Sequence, residues 1–281
     1  MTMDLKHKHW ALIVVGGLIV VFIALVAWFT FGKQKVLAPS AQTATSTAAT
    51  TTTAAVATTT SSAHLSEDAT YYTIDLTYPA ATPLTKVSAD ANEAAVDAMK
   101  SFAETTASQF KTDGNFANLT HDDVQMQGLD QSKEALSSEY KVYTGARTIS
   151  YVYTIYEDTH GAHPNTYFKT FTFDTQSGRE LSLADLFVSG YPYLSHLSGR
   201  AQADLPAIIN KQSNGGGADT DEIHLGTAPT EDNFANFYIS GNTLVFVFAP
   251  YQVGPYALGT VLDPIPLAQL SDGLKPDYLP K

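Results

Sequence analysis

Apolar residues follow three different patterns along this chain. Trp10 to Phe31, WALIVVGGLIVVFIALVAWFTF, is 22 residues with one Thr and no charge. As a helix it extends about 33 Å, enough for a hydrocarbon core near 30 Å. Trp10 and Trp28 fall near its ends, where interfacial aromatics are favoured. Val36 to Ala63 is the opposite case: almost wholly Ala, Thr and Ser, with no charge between Lys35 and Glu67. Such a stretch buries too little apolar surface to fold, so it reads as a stalk.

From Tyr71 onward the pattern is that of a packed domain. YYTIDLTY, Tyr71 to Tyr78, alternates and ends at Pro79, which predicts a strand. Ser88 caps a predicted helix from Ala89 to Phe110, with Ala91, Ala95, Met99, Phe102 and Phe110 at helical spacing. Lys111 to Lys133 is polar and shows no clear period. Strands follow at Ser138 to Tyr143, Thr148 to Glu157 and Thr166 to Asp174. In the second of these Ile149, Tyr151, Tyr153 and Ile155 share one face, with Ser150, Val152, Thr154 and Tyr156 on the other. Ser182 opens a short helix, and a longer one spans Tyr193 to Lys211 before an acidic loop. Phe237 to Ile239 and Thr243 to Ala249 form a hairpin about Ser240-Gly241-Asn242, and Val261 to Ile265 is a last strand.

The order β-α-β-β, then β-α-β-β with a coda, predicts an α+β fold. Its antiparallel sheet carries helices on one face, in two fused halves behind one transmembrane helix. The expected organisation is residues 1–9 cytoplasmic tail, 10–31 transmembrane helix, 32–63 stalk, 64–146 amino-terminal half and 147–281 carboxy-terminal half. The apolar run is longer than the roughly 7–15 residues of a cleaved leader, which favours an uncleaved anchor. Ala38-Pro39-Ser40 is the competing cleavage site. Lys6 and Lys8 on one side nearly balance Lys33 and Lys35 on the other. The short amino-terminal tail and the stalk favour a cytoplasmic amino terminus and an extracytoplasmic domain.

Composition narrows the function. There is no cysteine, which excludes disulfides and thiolate metal sites. From His64 onward 27 Asp and Glu stand against 12 Lys and Arg, a net charge of −15. Such a surface repels nucleic acid and anionic lipid head groups; it either attracts a basic protein or simply keeps the domain soluble.

Candidate chemistry is sparse. His160 and His163 lie three apart in a turn, but metal binding needs further converging ligands. Gly161 and Pro164 instead mark a corner shaped by backbone geometry. Asp219 to His224, DTDEIH, lacks the glycine and terminal glutamate of a calcium loop and reads as solvated. Ser108-Gln109-Phe110-Lys111 and Ser138-Glu139-Tyr140-Lys141 both match Ser-x-x-Lys, with no accompanying Lys-Thr-Gly. No catalytic residue, metal or cofactor is assigned.

Two segments carry a family resemblance: TIYEDTHGAHPNTYFKTFTFDTQSGRELSLADLF, and Phe237 to Leu270 with its Pro-Tyr-x-Val-Gly-Pro-Tyr-Ala-x-Gly turn. Together they resemble the extracytoplasmic domain of RsiV-like anti-sigma factors, which also accompanies PdaC-like peptidoglycan deacetylases. Tyr71 to about Phe110 resembles the domain of unknown function that precedes it there. The resemblance implies a binding module. RsiV-like proteins detect lysozyme, a basic enzyme that suits a surface of this charge. Nine residues, Met1 to His9, precede Trp10, too few to clamp a sigma factor, and no deacetylase domain is present. Neither activity is carried over. His160 also replaces the first glycine of the usual Gly-Gly-Ala-His turn.

The expected function is therefore a membrane-tethered extracytoplasmic module that binds a lysozyme-like muramidase or peptidoglycan, in sensing or protection. Its candidate ligand-binding residues are Gly161, Ala162, His163, Pro164 and Asn165 in one turn, with Tyr251, Gly254, Pro255, Tyr256 and Gly259 in the other. The alternative is a wall hydrolase or deacetylase working through Asp158, Glu157 and Asp174.

Overall fold

A computed structural model describes residues 61–84 and 86–280. The tail, the apolar run Trp10 to Phe31 and the stalk up to residue 60 lie outside the described residues. No described helix is long and apolar enough to cross a membrane.

The described chain is α+β, with eight strands in two sheets. β1 (Ser62–Asp68), β2 (Tyr72–Pro79), β3 (Glu134–Thr144), β4 (Thr148–Asp158) and β5 (Asn165–Asp174) form one sheet in that order. β6 (Phe237–Ser240), β7 (Thr243–Phe248) and β8 (Val261–Pro266) form the other. Every pairing is antiparallel except β2 with β3, the pair joined through helix α1 (Ala89–Asp113). A parallel pair needs a long crossover, and α1 supplies it. The sequence places β5 at the head of a second β-α-β-β series. Its register with β4 puts it on the edge of the first sheet instead. β1 extends that sheet on the opposite edge, and its first two residues fall inside the segment read as stalk.

α1 begins where the sequence places it. Ser88 Oγ accepts from Ala91 N at 3.2 Å, satisfying an otherwise free amide of the first turn. Its buried stripe is Ala95, Met99, Ala103, Ala107 and Phe110, nearly all at four-residue spacing. The small alanines let the helix lie close to the sheet. There it meets Ile74, Leu76, Leu136 and the predicted row Ile149, Tyr151, Tyr153 and Ile155, all in one core.

The second core lies between the other sheet and helix α3 (Tyr193–Gln212). Leu197, Ala201, Leu205 and Ile209 of α3 pack with Ile239, Leu244, Phe246, Phe248, Val261 and Ile265. Two short helices also differ from the sequence reading. α2 (His121–Met126) rises from the unassigned polar stretch through a capping box of Thr120 and Asp123. α4 (Thr220–Gly226) replaces the expected acidic loop: Asp219 accepts from the amides of Asp221 and Glu222, and the acidic first turn complements the helix dipole.

The second sheet meets the face of the first that α1 leaves free, both through its edge strand β6 and through its own face opposite α3. Val152 meets Tyr238, Val245 and Val247 between them, with Tyr143 and Phe168 alongside. The polar positions of β4 and β5 have a structural task here. Phe237 N donates to Thr170 Oγ1 at 3.1 Å, and Ile239 N to Ser150 Oγ at 3.3 Å. Ser150 Oγ and Thr172 Oγ1 are 2.9 Å apart. Hydroxyls of the first sheet thus satisfy the free edge of β6 in place of another strand. Thr170→Val keeps the shape and leaves the Phe237 amide buried without a partner. A loss of about 1–2 kcal/mol is expected in urea unfolding. A change within about 0.3 kcal/mol would show that this edge is hydrated instead.

Candidate binding surface

The two turns singled out by sequence, 91 residues apart at Gly161 and Gln252, are brought together at one end of the domain. The first leaves β4 at Asp158, whose Oδ1 accepts from His160 N at 3.1 Å. His160 adopts φ 56°, a left-handed conformation that a glycine takes more readily. Its Nδ1 lies 3.1 Å from Gln127 O and its Nε2 3.0 Å from Ser132 Oγ, so its ring is held by the loop before β3.

His163 turns to a different set of neighbours. Its ring stacks on Tyr256, centroids 3.8 Å apart and planes 18° from parallel. Nδ1 lies 3.0 Å from Pro164 O, and Nε2 3.0 Å from the Tyr251 hydroxyl. A carbonyl only accepts, so in the neutral ring Nδ1 carries the proton and Tyr251 donates to Nε2. The Tyr256 hydroxyl donates to the same Pro164 carbonyl at 2.8 Å. Tyr251 and Tyr256 complete the cluster at 5.5 Å. The histidine pair is thus divided: His160 fixes the corner and His163 joins the two turns. No group of three His, Cys, Asp or Glu among the described residues has metal-binding geometry.

The remaining candidates shape or flank this cluster. Gly161 and Ala162 are exposed at the tip of the first turn, and Asn165 opens β5 opposite Glu157. Pro255 precedes the single 3-10 turn Tyr256–Leu258, and Gly259 leaves it at φ 73°. Gly254 is buried, and a Cβ there would stand 2.6 Å from Leu258 Cδ2.

Tyr251 is the unusual member. It is 65% exposed and has φ 70°. A bulky residue in that region carries strain of order 1–3 kcal/mol. The neighbouring Gln252 holds the turn in place, donating from Nε2 to Gly226 O (3.1 Å) and Asn233 O (2.9 Å) and accepting from Ala249 N (3.2 Å). Gly226 is required at that contact, because a Cβ there would lie 1.8 Å from Gln252 O. Sequence reasoning passed over both residues. Gly226 ends a helix read as loop, and Gln252 looks like any polar turn residue.

The carboxylates of the alternative reading do not converge. Glu157 and Asp158 are consecutive on β4 and so point to opposite faces. Asp174 lies opposite Thr148, nine residues along the ladder from the Glu157–Asn165 pair, which is roughly 30 Å. Asp158 caps the turn, and Asp174 is tied into a structural network with Arg147. Glu157 alone faces a groove, with its pKa raised by burial and by the charge of Asp113.

Residues 184–268 match the model of a protein family of unknown function, DUF3298. Peptidoglycan-N-acetylmuramic acid deacetylase PdaC of Bacillus subtilis is 32% identical over 191 residues, covering 68% of this chain and 38% of that protein. Esterase Rv3036c of Mycobacterium tuberculosis is 28% identical over 119 residues, covering 42% of this chain and 49% of the other. The chain thus spans less than half the length of these relatives. A crystal structure of a DUF3298 protein from Bacteroides fragilis shares the fold, with a TM-score of 0.50 at 20% identity over 77% of this chain and 93% of that one. The match contains the Tyr251 to Gly259 turn, while the Gly161 to Asn165 turn lies before it; over residues 184–268 the chain is similar to the DUF3298 family, in keeping with the resemblance of its turn segments.

Proposed function

We propose that this protein is an extracytoplasmic binding module for a cell-envelope ligand, either peptidoglycan or a lysozyme-like muramidase that acts on it. The tether is the apolar run Trp10 to Phe31, with the cytoplasmic tail before it and the stalk behind it. The observation that carries the reading is Tyr251: a strained, exposed aromatic beside the stacked pair His163 and Tyr256. Folding alone favours glycine at such a position, and strain of this kind concentrates at ligand sites. Aromatic rings with polar edges suit both sugar faces and protein hot spots. The relationship to PdaC, a peptidoglycan deacetylase by name, supports the choice of envelope. The charge of −15 from His64 onward supports a basic partner and fast encounter with it.

The test is retention of the full-length protein on purified peptidoglycan and on immobilised lysozyme, at low and high salt. A muramidase complex steered by charge weakens as salt rises, whereas stacking on glycan is much less sensitive. Tyr251→Gly is the decisive variant. It is expected to weaken retention at least tenfold while leaving the melting temperature unchanged or raised, since glycine relieves the backbone strain. Equal retention of variant and wild type would remove the aromatic surface as the site. Retention on neither ligand at low salt would remove the proposed function.

A further inference from the structure

Ser132 and His160 are 28 residues apart in sequence, and they meet where the loop before β3 closes on the corner after β4. Ser132 Oγ lies 3.0 Å from His160 Nε2, and His160 Nδ1 lies 3.1 Å from Gln127 O. A carbonyl only accepts, so in the neutral ring Nδ1 carries the proton and donates it to Gln127 O. Nε2 keeps its lone pair, and the Ser132 hydroxyl donates to it. A hydroxyl on a base, with a third group fixing the base, is the arrangement that activates a nucleophile. Gln127 O takes the third place.

Three further observations bear on the same ring. His160 stands at φ 56°, tied there through its amide to Asp158 Oδ1 at 3.1 Å. Glycine would form this corner without strain, and strain held by a non-glycine residue concentrates at active sites. Glu134 is 5% exposed, and its Oε2 meets no hydrogen-bond partner. Burial raises its pKa, and the foremost charge opposing that rise is His160. A buried carboxylate within electrostatic reach of the ring favours the imidazolium that forms when Ser132 gives up its proton. Finally, Ser132 is exposed, and so are Gly161 and Ala162 directly after His160. The amides of Gly161 and Ala162 meet no backbone acceptor among the described residues, which leaves them free for a developing oxyanion.

We propose that Ser132 and His160 form a catalytic pair that hydrolyses esters of small acyl groups. The open surface gives a long acyl chain nothing to pack against, whereas a bulky alcohol meets no obstruction. Ser132 Oγ adds to the ester carbonyl carbon as its proton passes to His160 Nε2. The carbonyl reforms, the bond to the alcohol oxygen breaks, and the imidazolium returns the proton to that oxygen. Water then attacks the acyl-serine, giving a proton to His160, and the acid leaves as Ser132 recovers its own. This activity goes beyond the binding reading and does not depend on it.

The test treats full-length protein with a fluorophosphonate, which bonds covalently to base-activated serines, and with p-nitrophenyl acetate. Stoichiometric label on Ser132, located by peptide mass mapping, and a burst of p-nitrophenol are expected. Ser132→Ala should abolish both. His160→Gly should slow labelling and acylation by about a hundredfold or more, the contribution of a positioned base, with the melting temperature unchanged or raised because glycine relieves the backbone. A merely structural histidine would not show that combination. Ester hydrolysis that survives Ser132→Ala, label on another residue, or no label at all would each overturn the proposal.

Discussion

Asp174→Ala is expected to destabilise the protein by about 3–5 kcal/mol, the range for breaking one side of a buried charge pair. Asp174 is 2% exposed at the end of β5. Its Oδ1 accepts from Gln176 N (2.9 Å), Ser177 N (2.7 Å) and Ser177 Oγ (3.0 Å). Its Oδ2 accepts from Arg147 Nε at 2.6 Å and from the Tyr278 hydroxyl at 3.3 Å. Arg147 continues the chain of contacts to Asp277, 2.8 Å from Nη1. One carboxylate therefore closes a turn, anchors an arginine and fixes the carboxy-terminal segment to the first sheet. Burial by itself raises its pKa, but the Ser177 and Gln176 amides and the Arg147 guanidinium outweigh that and hold it below the usual value. A carboxyl lowered in the folded state stabilises above its unfolded pKa and loses that contribution as pH falls through the folded one. Urea unfolding from pH 7 down to 2 should thus show the gap between wild type and variant shrinking below about pH 4. If Asp174 served a wall hydrolase, its removal would abolish muropeptide release and leave stability intact. Loss of stability with no activity in wild type assigns it to structure.

How far the sequence could be read follows from where each signal resides. Local signals were sufficient for the capped start of α1, for the alternation of β4 and for the hairpin about Gly241, because capping, pleat and turn chemistry act over a few residues. The polar face of β4 was visible as a pattern, but its meaning was not. Ser150 reads as a solvent position, yet it is fully buried because β6 uses it as a hydrogen-bond partner 89 residues away. The same applies to the sheet assignment of β5, which depends on pairing and not on order along the chain. At the candidate surface the two turns were identifiable separately, through their glycines, prolines and aromatics. Their union through His163 and Tyr256 required the fold. The strain at Tyr251 was likewise invisible, since a tyrosine in a turn implies no particular φ.

Asp263→Asn should act in the opposite direction to the Asp174 variant, stabilising the protein by on the order of 2–3 kcal/mol at pH 7. Asp263 sits on β8 opposite Phe246, at an inward position between Val261 and Ile265. It is 1% exposed, and neither carboxylate oxygen has a hydrogen-bond partner. The charged groups acting on it are on α3. Arg200 forms its ion pair with Asp204, so its charge is already committed. Burial pushes the Asp263 pKa up to about 6; Asp204 adds to the rise and Arg200 opposes it. For an acid raised in the folded state the linkage sign reverses: the protonated form is favoured by folding, so its contribution is full below the unfolded value near 3.9. Stability then declines as pH rises from about 4 to about 6 and is level above, the total being about two pKa units at 1.36 kcal/mol each. Asn matches the protonated carboxyl in size and carries no charge at any pH. The variant should therefore equal wild type near pH 4 and exceed it from pH 6 upward, as read from urea midpoints at pH 4, 5, 6 and 7. A constant difference across that series would mean that Asp263 does not titrate in the folded protein. Asp174 and Asp263 are both buried aspartates at strand positions, and what separates a 3–5 kcal/mol loss from a gain is whether the fold supplies donors to the charge.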